Sequence, residues 1–444
     1  MQKKTRCAIG YTFFLPSKPL KLSTPLLNTT QHDSIFIISV KISAISGPWF
    51  TLDTSNPLKP LKQHPRATKT LHPSPMRRII LLPLLLLPLL LHAQTVHQYY
   101  LKDLSRDYVR ILFAGDAMQH STQFQYAWDS HTRRYNYEPN FRYLQPYINQ
   151  ADINIVNVET TFPGYKYSGY PRFRTPDAFF YALTDAGFDI FALANNHVND
   201  SGQSGLQRTL KLMSQYPTMG AYINAEQREK QYPILIHIAG LKIAVFNATY
   251  GTNQIPPVAP NIVNYIDTEQ IEQDIAHSLQ DTTIDLRIMF IHWGTEYQLL
   301  HNAYQHGLAQ WLADLGFDVI IGSHPHVVQD QETLTAADGR QVPVVYSLGN
   351  LVSNQRWKNS NGGIIALLDI NRHTKQIQNL QFVPFYVHKG SLLGEGDPAY
   401  PNTSNYYCIP TQDYLDGKLP FLLNETAAYE LKLHHQLTNQ RLQK

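Results

Sequence analysis

Asp318-Val-Ile-Ile-Gly-Ser-His-Pro-His326 is the stretch of sequence on which the fold prediction depends. The apolar run at residues 319–321 predicts a buried strand that ends at a glycine. Two histidines follow, His324 and His326, separated by a proline that stiffens the turn. Imidazole is a common metal ligand, so this pair at a strand end is typical of a metal site. Alone it is weak evidence, because two close histidines in a loop are more often incidental.

Apolar runs and helical patterns alternate on the N-terminal side of this stretch. Strands are predicted at residues 109–115, 153–158, 188–194, 286–291 and 319–321. Helices are predicted at residues 140–150, 177–186, 203–215, 268–279 and 303–315. The strands are apolar at successive positions, which indicates burial on both faces. This alternation predicts an α/β fold with a substantially parallel sheet.

Elsewhere the pattern is different. Two pairs of apolar segments predict antiparallel strands, residues 232–239 with 242–248 and residues 363–370 with 378–387. Residues 389–420 are rich in Gly, Pro and Tyr and are predicted to form a loop. Residues 425–441 predict a polar terminal helix.

The composition and charge place the chain among globular proteins. It has 444 residues, of which 43% are hydrophobic and 16% charged, so it can bury a substantial core. The formal net charge is +3, but residues 1–75 hold ten Lys or Arg and two Asp, which leaves −5 on residues 76–444. A mildly acidic body has no electrostatic footprint for nucleic acid, so nucleic acid is not an expected partner.

The N-terminal region has the pattern of a leader. Residues 76–93 have a charged start, an apolar stretch and a small residue before the cut, as a secretory signal peptide has. We predict that Met76 is the true start, that residues 1–75 are an upstream extension, and that the mature protein is periplasmic or extracellular. The alternative is an uncleaved segment at 76–93 that anchors the protein to a membrane. Cys408 is the one cysteine beyond this region, so no disulfide framework is predicted in the mature chain.

Polar motifs directly follow five of the predicted strands. In open α/β sheets, ligands bind beyond the carboxyl ends of the strands. The side chains expected to meet there are Asp116, Glu159, Asn196, His197, His292, His324 and His326. Each could instead cap a helix or be a satisfied polar group, but such residues at five strand ends favour one shared site. Carboxylate, amide and imidazole ligands together suit a divalent ion of the Zn, Mn or Fe type.

Six motifs in chain order carry a family resemblance. They are Gly115-Asp116, Asn157-Val-Glu159, Ala194-Asn-Asn-His-Val-Asn-Asp200-Ser-Gly202, His292-Trp-Gly-Thr-Glu296-Tyr297, Gly322-Ser-His-Pro-His-Val327 and Ser347-Leu-Gly-Asn350. The series resembles the capsule-synthesis CapA family of poly-γ-glutamate capsule proteins, a branch of the calcineurin-like metallophosphoesterase superfamily. The resemblance implies an α/β metallophosphatase sandwich of two mixed sheets flanked by helices, formed by residues 107–355 and completed by residues 356–444.

The resemblance also implies roles for the motif residues. One metal position would be served by Asp116 and His326, the other by Asn196, His292 and His324, with Glu159 as the bridging carboxylate. His197 matches the catalytic histidine that protonates the leaving group. The superfamily has a histidine where this chain has Met118, and His120 is the candidate substitute. The resemblance therefore leaves open whether one divalent ion or two bind.

Further residues are expected to support the site. Asp200 is placed either to orient the ring of His197 or to cap the following helix. Glu296 is predicted to hydrogen-bond a ligand imidazole, and Asn350 to brace the site through its amide.

Two other groups of residues were considered for binding. Arg172 and Arg174 lie in a Tyr-rich loop and form either a fork for a carboxylate or phosphate, or part of a solvated loop that covers the sheet. His301 and His306 are five residues apart and do not share a helix face, so we interpret them as surface residues.

These inferences favour an exported metal-dependent hydrolase or transferase. It would act at an amide or phosphoester bond of an anionic, poly-γ-glutamate-like capsule or envelope polymer, or of a small anionic substrate, with His197 as proton donor. Capsule or envelope biosynthesis machinery is the expected partner. The alternative, favoured by Met118, is a non-catalytic structural or polymer-binding component of capsule synthesis and export. An ordinary phosphodiesterase is disfavoured because the first motif is incomplete.

Overall fold

Two β-sheets form the centre of the structure, a computed structural model that describes residues 94–394 and 404–443. The strands are β1 (Val96–Tyr99), β2 (Tyr108–Ala117), β3 (Trp128–Asp129), β4 (Arg134–Tyr135), β5 (Ile153–Val158), β6 (Ile190–Ala192), β7 (Thr218–Met219), β8 (Ala221–Tyr222), β9 (Ile234–Ile238), β10 (Leu241–Thr249), β11 (Ile262–Val263), β12 (Leu286–His292), β13 (Val319–Ser323), β14 (Gln331–Thr335), β15 (Gln341–Val345), β16 (Asn350–Val352), β17 (Gly362–Asn371), β18 (Ile377–Gly390) and β19 (Asn405–Pro410). The helices are α1 (Ser121–Ala127), α2 (Glu138–Phe141), α3 (Gln145–Gln150), α4 (Asp177–Ala186), α5 (Gly202–Leu212), α6 (Ala225–Gln231), α7 (Thr268–Gln280), α8 (Ala303–Leu315), α9 (Thr411–Leu415) and α10 (Glu425–Leu442). The predicted leader and signal peptide, residues 1–75 and 76–93, lie outside the described residues.

The first sheet has seven strands in the order β1-β9-β10-β12-β13-β15-β14. Its central strands β10, β12, β13 and β15 are parallel to one another. The pairs β9–β10 and β14–β15 are antiparallel. The hairpin predicted on either side of Gly240 is therefore confirmed as β9 and β10.

The second sheet has the order β19-β18-β17-β2-β5-β6-β7, and β16 also pairs with β2. Strands β2, β5, β6 and β7 are parallel, whereas β17, β18 and β19 run antiparallel to their neighbours. The antiparallel pair predicted at residues 363–370 and 378–387 is confirmed as β17 and β18. Both sheets are mixed and flanked by helices, as the resemblance implied. The strands predicted to be parallel, β2, β5, β6, β12 and β13, are in parallel pairs, and antiparallel strands flank them in both sheets.

Successive residues of the central strands pack in different layers. In β2, Ile111 and Phe113 belong to the core between the two sheets, whereas Leu112 and Ala114 belong to the core beneath α4 and α5. Phe113 meets Phe290 of β12 edge-on across the sandwich, with ring centroids 5.8 Å apart. This burial of both faces explains why apolar residues stand at successive positions of the strands.

The helices cover the outer faces of the sandwich. Apolar residues of α4 and α5 pack on the second sheet, and those of α7 and α8 on the first. The helices predicted at residues 177–186 and 303–315 have those bounds, and each ends at a glycine with positive φ, Gly187 and Gly316. Within the described residues, no helix combines the length and apolarity that a bilayer crossing requires.

The loop predicted at residues 389–420 is wrong in part. Asn405-Tyr-Tyr-Cys-Ile-Pro410 forms β19, which is buried throughout and pairs with β18, and α9 follows directly. Tyr and Ile suit a buried strand, whereas the Gly and Pro content of the region as a whole predicts a loop. Residues 395–403 lie outside the described residues.

Candidate metal centre

The seven side chains predicted to converge lie at one edge of the sandwich. Asp116 is near the end of β2, Glu159 follows β5, His292 ends β12, and His324 follows β13. Each of the seven exposes at most 5% of its surface: Asp116, Glu159, Asn196, His197, His292, His324 and His326. The carboxyl ends of parallel strands from both sheets thus supply one buried cluster.

Glu159 lies at the middle of this cluster. Its Oε1 is 3.6 Å from His292 Nε2, 3.9 Å from His326 Nε2 and 4.0 Å from His197 Nε2. Among the described residues, neither of its carboxylate oxygens has a hydrogen-bond partner. Burial, and then the nearby carboxylate of Asp116, raises the pKa of Glu159 well above its usual value. A cation would offset the cost of this unpaired buried carboxylate.

Two overlapping sets of ligand atoms lie close enough to hold an ion. Glu159, His324 and His326 form one set, and Asp116, Glu159 and His292 form the other. Within each set the ligand atoms are within 4.8 Å of one another. Glu159 belongs to both sets, as a bridging carboxylate would. Asp116 Oδ2 also lies 3.1 Å from His326 Nδ1, so the pairing of Asp116 with His326 that the resemblance implies stays a prediction.

Asp116 fastens the loop that carries the two histidines. Its Oδ2 accepts a hydrogen bond from the backbone N–H of His324 (3.2 Å) and lies 3.1 Å from His326 Nδ1. Both histidines have positive φ, 100° and 58°. Such backbone costs about 1–3 kcal/mol per residue and persists where surrounding contacts impose it, commonly at functional sites.

His292 is held at both ring nitrogens. Its Nδ1 lies 2.9 Å from Ser323 Oγ, and its Nε2 lies 2.8 Å from Asn196 Oδ1. Burial, and then the neighbouring His324, lowers the pKa of His292 well below its usual value. Burial, and then His326, does the same to the pKa of His324. Both imidazoles are therefore neutral at neutral pH, which is the form that binds a metal ion.

His197 and Asp200 form a hydrogen-bonded pair. Nδ1 of His197 lies 2.8 Å from Asp200 Oδ2, which also accepts a hydrogen bond from the backbone N–H of Phe173 (2.6 Å). The Phe173 ring packs edge-on against the imidazole at 4.5 Å. The carboxylate of Asp200 therefore contacts the ring, and α5 begins after Ser201 without a side-chain cap.

Asn157 and Ser323 were not predicted to take part. Asn157 Nδ2 donates to Asp116 Oδ1 (2.8 Å) and lies 3.3 Å from His292 Nδ1. Ser323 contacts the same ring nitrogen. Both residues stand inside the motifs quoted from the sequence, so their position beside a predicted ligand was an available signal.

Tyr250 and Asn253 come from a strand end that the sequence analysis did not single out. They follow β10. The Tyr250 ring lies 4.6 Å from the ring of His324, and Asn253 Nδ2 lies 3.4 Å from each ring nitrogen of His197. Because β10 is parallel to β12, its carboxyl end reaches the same edge of the sheet. Recognising β10 as a parallel strand would have predicted them.

The structure gives His120 contacts of its own. Its Nδ1 lies 3.3 Å from Gln123 Oε1 and accepts a hydrogen bond from the backbone N–H of Asn354 (3.4 Å). Burial lowers the pKa of His120 to about 4. Within the described residues it belongs to neither ligand set, and Met118 is buried at the position that carries a histidine in the superfamily.

The two arginines predicted to bind substrate are placed differently. Arg174 donates to the carbonyl oxygen of Asp200 (3.4 Å) and lines a cavity of about 290 Å³ together with Lys166 and Arg208. Arg172 is exposed and does not line that cavity. The structure therefore places Arg174, and not Arg172, beside the His197–Asp200 pair.

Asn350 and Glu296 also differ in placement. Asn350 Nδ2 donates to the carbonyl oxygens of His326 (3.2 Å) and Ser360 (2.9 Å), and so braces the histidine loop. Glu296 is exposed, and in the part of the chain that the structure describes it hydrogen-bonds no histidine of the centre. Gly294 and Tyr297 of this segment have positive φ, and the backbone N–H of Tyr297 donates to the carbonyl oxygen of Pro325 in the histidine loop (2.8 Å).

The buried ligand atoms of the cluster suit a divalent cation. The two oxygens of Glu159 and the Nδ1 of His324 are buried without a hydrogen-bond partner within residues 94–394 and 404–443. Buried polar atoms are normally satisfied, so three such atoms in one cluster of carboxylates and neutral imidazoles indicate an ion. The fold and the site together define an α/β sandwich protein with a candidate metal centre at its strand ends.

The chain belongs to the family of bacterial capsule synthesis proteins named PGA_cap, whose profile matches residues 110–355. These residues contain every candidate ligand. The family resemblance drawn from the motifs is thus confirmed.

Individual relatives agree with this assignment. The chain is 25% identical over 329 residues to the capsule biosynthesis protein CapA of Bacillus anthracis, an alignment that covers 70% of this chain and 75% of that protein. It is 26% identical over 267 residues to the PGA biosynthesis protein CapA of Bacillus subtilis (strain 168), covering 56% and 66%.

Two solved structures show a distant likeness, each with a TM-score of 0.40. One is a phosphatase from Mycoplasma pneumoniae, 15% identical, with 63% of this chain and 94% of that chain covered. The other is a putative 5'-nucleotidase from Staphylococcus aureus in complex with alpha-ketoglutarate, 12% identical, with 74% and 58% covered.

Proposed function

We propose that this protein is an exported, metal-dependent hydrolase or transferase that acts on a capsule or cell-envelope polymer of the poly-γ-glutamate type. Family membership and the names of the relatives support the link to capsule polymer, and the signal-peptide pattern at residues 76–93 supports export. One observation carries the enzymatic part. The His197–Asp200 pair lies against the candidate metal centre, with His197 Nε2 4.0 Å from Glu159 Oε1.

The residues that would hold the ion or ions are Asp116, Glu159, Asn196, His292, His324 and His326. A divalent cation bound there would supply Lewis-acid polarisation of a carbonyl or phosphoryl oxygen and a nucleophile at neutral pH. The amide or phosphoester bond to be cleaved would then lie between these ligands and His197.

His197 is proposed to donate a proton to the departing group. Asp200 accepts the hydrogen bond from Nδ1 and so fixes the orientation of the ring, which leaves Nε2 on the side of Glu159. Phe173 packs edge-on against the ring, which is 5% exposed, and so limits the access of water. The proton that His197 would donate is the one on Nε2, which lies on the side of the candidate metal ligands.

Arg174 is proposed to bind an anionic group of the substrate. The cavity that it shares with Lys166 and Arg208 also contains Ser201, the residue after Asp200. Arg208 is paired with Asp177, whereas Lys166 and Arg174 form no ion pair with any residue that the structure describes, so these two supply positive charge to the cavity. A carboxylate of the polymer bound there would lie beside Ser201, which follows Asp200, the hydrogen-bond partner of His197.

The test is an assay of the full-length protein with γ-glutamyl peptides and, beside them, generic phosphoesters. We expect His197→Gln to lower kcat by about 10²- to 10⁴-fold, the usual contribution of a positioned proton donor, with metal content unchanged. Asp200→Asn should lower kcat less. His373→Gln, at an exposed histidine remote in sequence from the site, is the matched control and should leave kcat unchanged.

The second candidate function is non-catalytic binding of polymer during synthesis or export. Met118, in place of the histidine of the superfamily, is the observation that favours it. Bound metal together with no measurable turnover of either substrate class would contradict the enzymatic proposal and support this one. Turnover that His197→Gln leaves unchanged would contradict only the role proposed for His197.

A further inference from the structure

A second group of metal-ligand side chains shares no residue with the centre described above. His301, His306 and Glu332 each offer one ligand atom, and these atoms lie within 4.8 Å of one another. His301 precedes α8, His306 is in its first turn, and Glu332 is on the edge strand β14. The spacing argument against His301 and His306 does not apply, because His301 lies outside the helix and its ring stacks 5.7 Å from that of His306.

His301 is oriented by a carboxylate. Asp330 accepts a hydrogen bond from the backbone N–H of His301 (2.9 Å), and its other oxygen lies 2.9 Å from His301 Nδ1. The ring of Tyr346 stacks on the imidazole at 4.0 Å. With Nδ1 occupied by Asp330, Nε2 is the nitrogen available to a cation. Histidine ligands of metals are commonly supported by a carboxylate in this way.

The other two ligands are already in contact. Nδ1 of His306 lies 2.9 Å from Glu332 Oε1, and the Tyr346 hydroxyl donates to the same oxygen. The side chains of His301, His306 and Glu332 are 26%, 48% and 32% exposed, so water can complete the shell of an ion. An ion pair between His306 and Glu332 accounts for these two groups, but not for a third, carboxylate-oriented imidazole at the same place.

We propose that His301, His306 and Glu332 form a second, solvent-facing site that binds a divalent cation of the zinc type. Two imidazoles and one carboxylate are a donor set that zinc accepts, with water in the remaining position. The cation joins the start of α8 to the edge strand β14.

The position of this site gives it a structural role. Gln329 Nε2 donates to the carbonyl oxygens of Gln298 (2.9 Å) and Leu300 (3.1 Å). It thereby ties the segment after His292 to the segment after His326. A cation on His301 and Glu332 fastens the same two segments a second time, so the outer site stabilises the loops that carry ligands of the buried centre.

The test uses full-length protein without a histidine tag. Zinc binding is followed by calorimetric titration, bound metal is counted by mass spectrometry, and Co²⁺ serves as a spectroscopic probe. We expect His306→Ala and His301→Ala each to lose one metal equivalent per chain. Asp330→Asn should weaken that equivalent by about 10- to 100-fold, the usual effect of removing the support of a ligand.

Controls separate this site from the buried centre and from surface histidines. His277→Ala, at an exposed histidine of α7, should retain wild-type stoichiometry. In a Glu159→Gln background, which weakens the buried centre, the outer equivalent should remain and disappear when His306→Ala is added. Thermal melting checks that each variant is folded. Unchanged zinc stoichiometry and affinity in folded His306→Ala and His301→Ala overturn the proposal.

Discussion

At the scale of single residues, Glu159 shows how the site conflicts with stability. The side chain is fully buried, and within the described residues its two oxygens have no hydrogen-bond partner. Its pKa is raised above the unfolded value of 4.5, so the ionised form destabilises the metal-free fold at any pH above that value. A bound cation removes this penalty, which couples metal binding to the free energy of unfolding.

Glu159→Gln should therefore have opposite effects in the two forms of the protein. In metal-free protein near neutral pH it raises Tm, because glutamine has a similar size to glutamate and removes the unpaired buried charge. In the presence of metal it abolishes most of the Tm gain that the wild type shows. Scanning calorimetry with and without chelator measures both effects. The exposed Glu269→Gln is the control, and a lower Tm for metal-free Glu159→Gln would contradict the prediction.

The sequence identified the candidate ligands but not their arrangement. Asp116 and His324 could be predicted to converge because each stands at the end of a buried strand. That Asp116 would fasten the backbone of His324, and that Glu296 would turn outward, depends on local dihedral angles that no motif encodes. The roles assigned to these residues stay predictions.

At the scale of the elements, glycines determine how closely the strand ends approach one another. A Cβ at Gly322 would lie 2.0 Å from the carbonyl oxygen of Tyr346 and 2.5 Å from Trp293 Nε1. The backbone of β13 therefore touches its neighbours at the point where the histidine loop begins. A larger residue must displace β13 or β15.

Gly322→Ala should destabilise the fold by about 1–3 kcal/mol or more and reduce the metal content, because it moves residues 323–326. Gly307→Ala is the matched control. It is on the exposed face of α8, where within the described residues nothing lies within 4 Å of an added Cβ. That substitution should stabilise by about 0.5–1 kcal/mol. Urea unfolding and metal analysis measure the two variants, and equal stabilities would refute the argument.

Elements with strong local signals were predictable from the sequence. α4 and α8 have apolar faces that end at glycines, and β13 begins with the continuous apolar run Val319-Ile-Ile321. β19 was missed because its burial depends on pairing with β18, and no signal within six residues shows that pairing. The edge strand β14 was not predicted either, because only one of its five residues is buried and it has no continuous apolar run.

At the scale of the whole molecule, the candidate metal centre depends on chain beyond the family match. The match ends at residue 355, yet β17 at Gly362–Asn371 pairs with β2 over seven positions. β2 carries Asp116. The C-terminal strands therefore hold the site strand from its other side, and α10 packs against them.

His434 of α10 is expected to make the molecule sensitive to acid. It is buried against Gly362 of β17, and burial, followed by Arg441, lowers its pKa to about 4. The unfolded pKa is 6.5, so stability is lost as the pH falls from 6.5 towards 4, by up to about 3 kcal/mol.

His434→Leu should flatten this pH dependence, because leucine takes up no proton on unfolding. Chemical unfolding at several pH values between 4 and 6.5 measures the difference from wild type. His373→Leu, at an exposed histidine, should keep the wild-type slope. A slope that His434→Leu leaves unchanged would assign the acid effect to other groups.

The burial of the ligands around Glu159 also sets a timescale. Ligands with at most 5% of their surface exposed can release an ion only when the loops after β12 and β13 open, so exchange there is as slow as that opening. At His301, His306 and Glu332 water reaches the ligands directly, and exchange is limited by ligand dissociation alone. If ions bind at both places, the inner position would exchange slowly and the outer one rapidly, and the residence time of the inner ion would be a property of the fold around it.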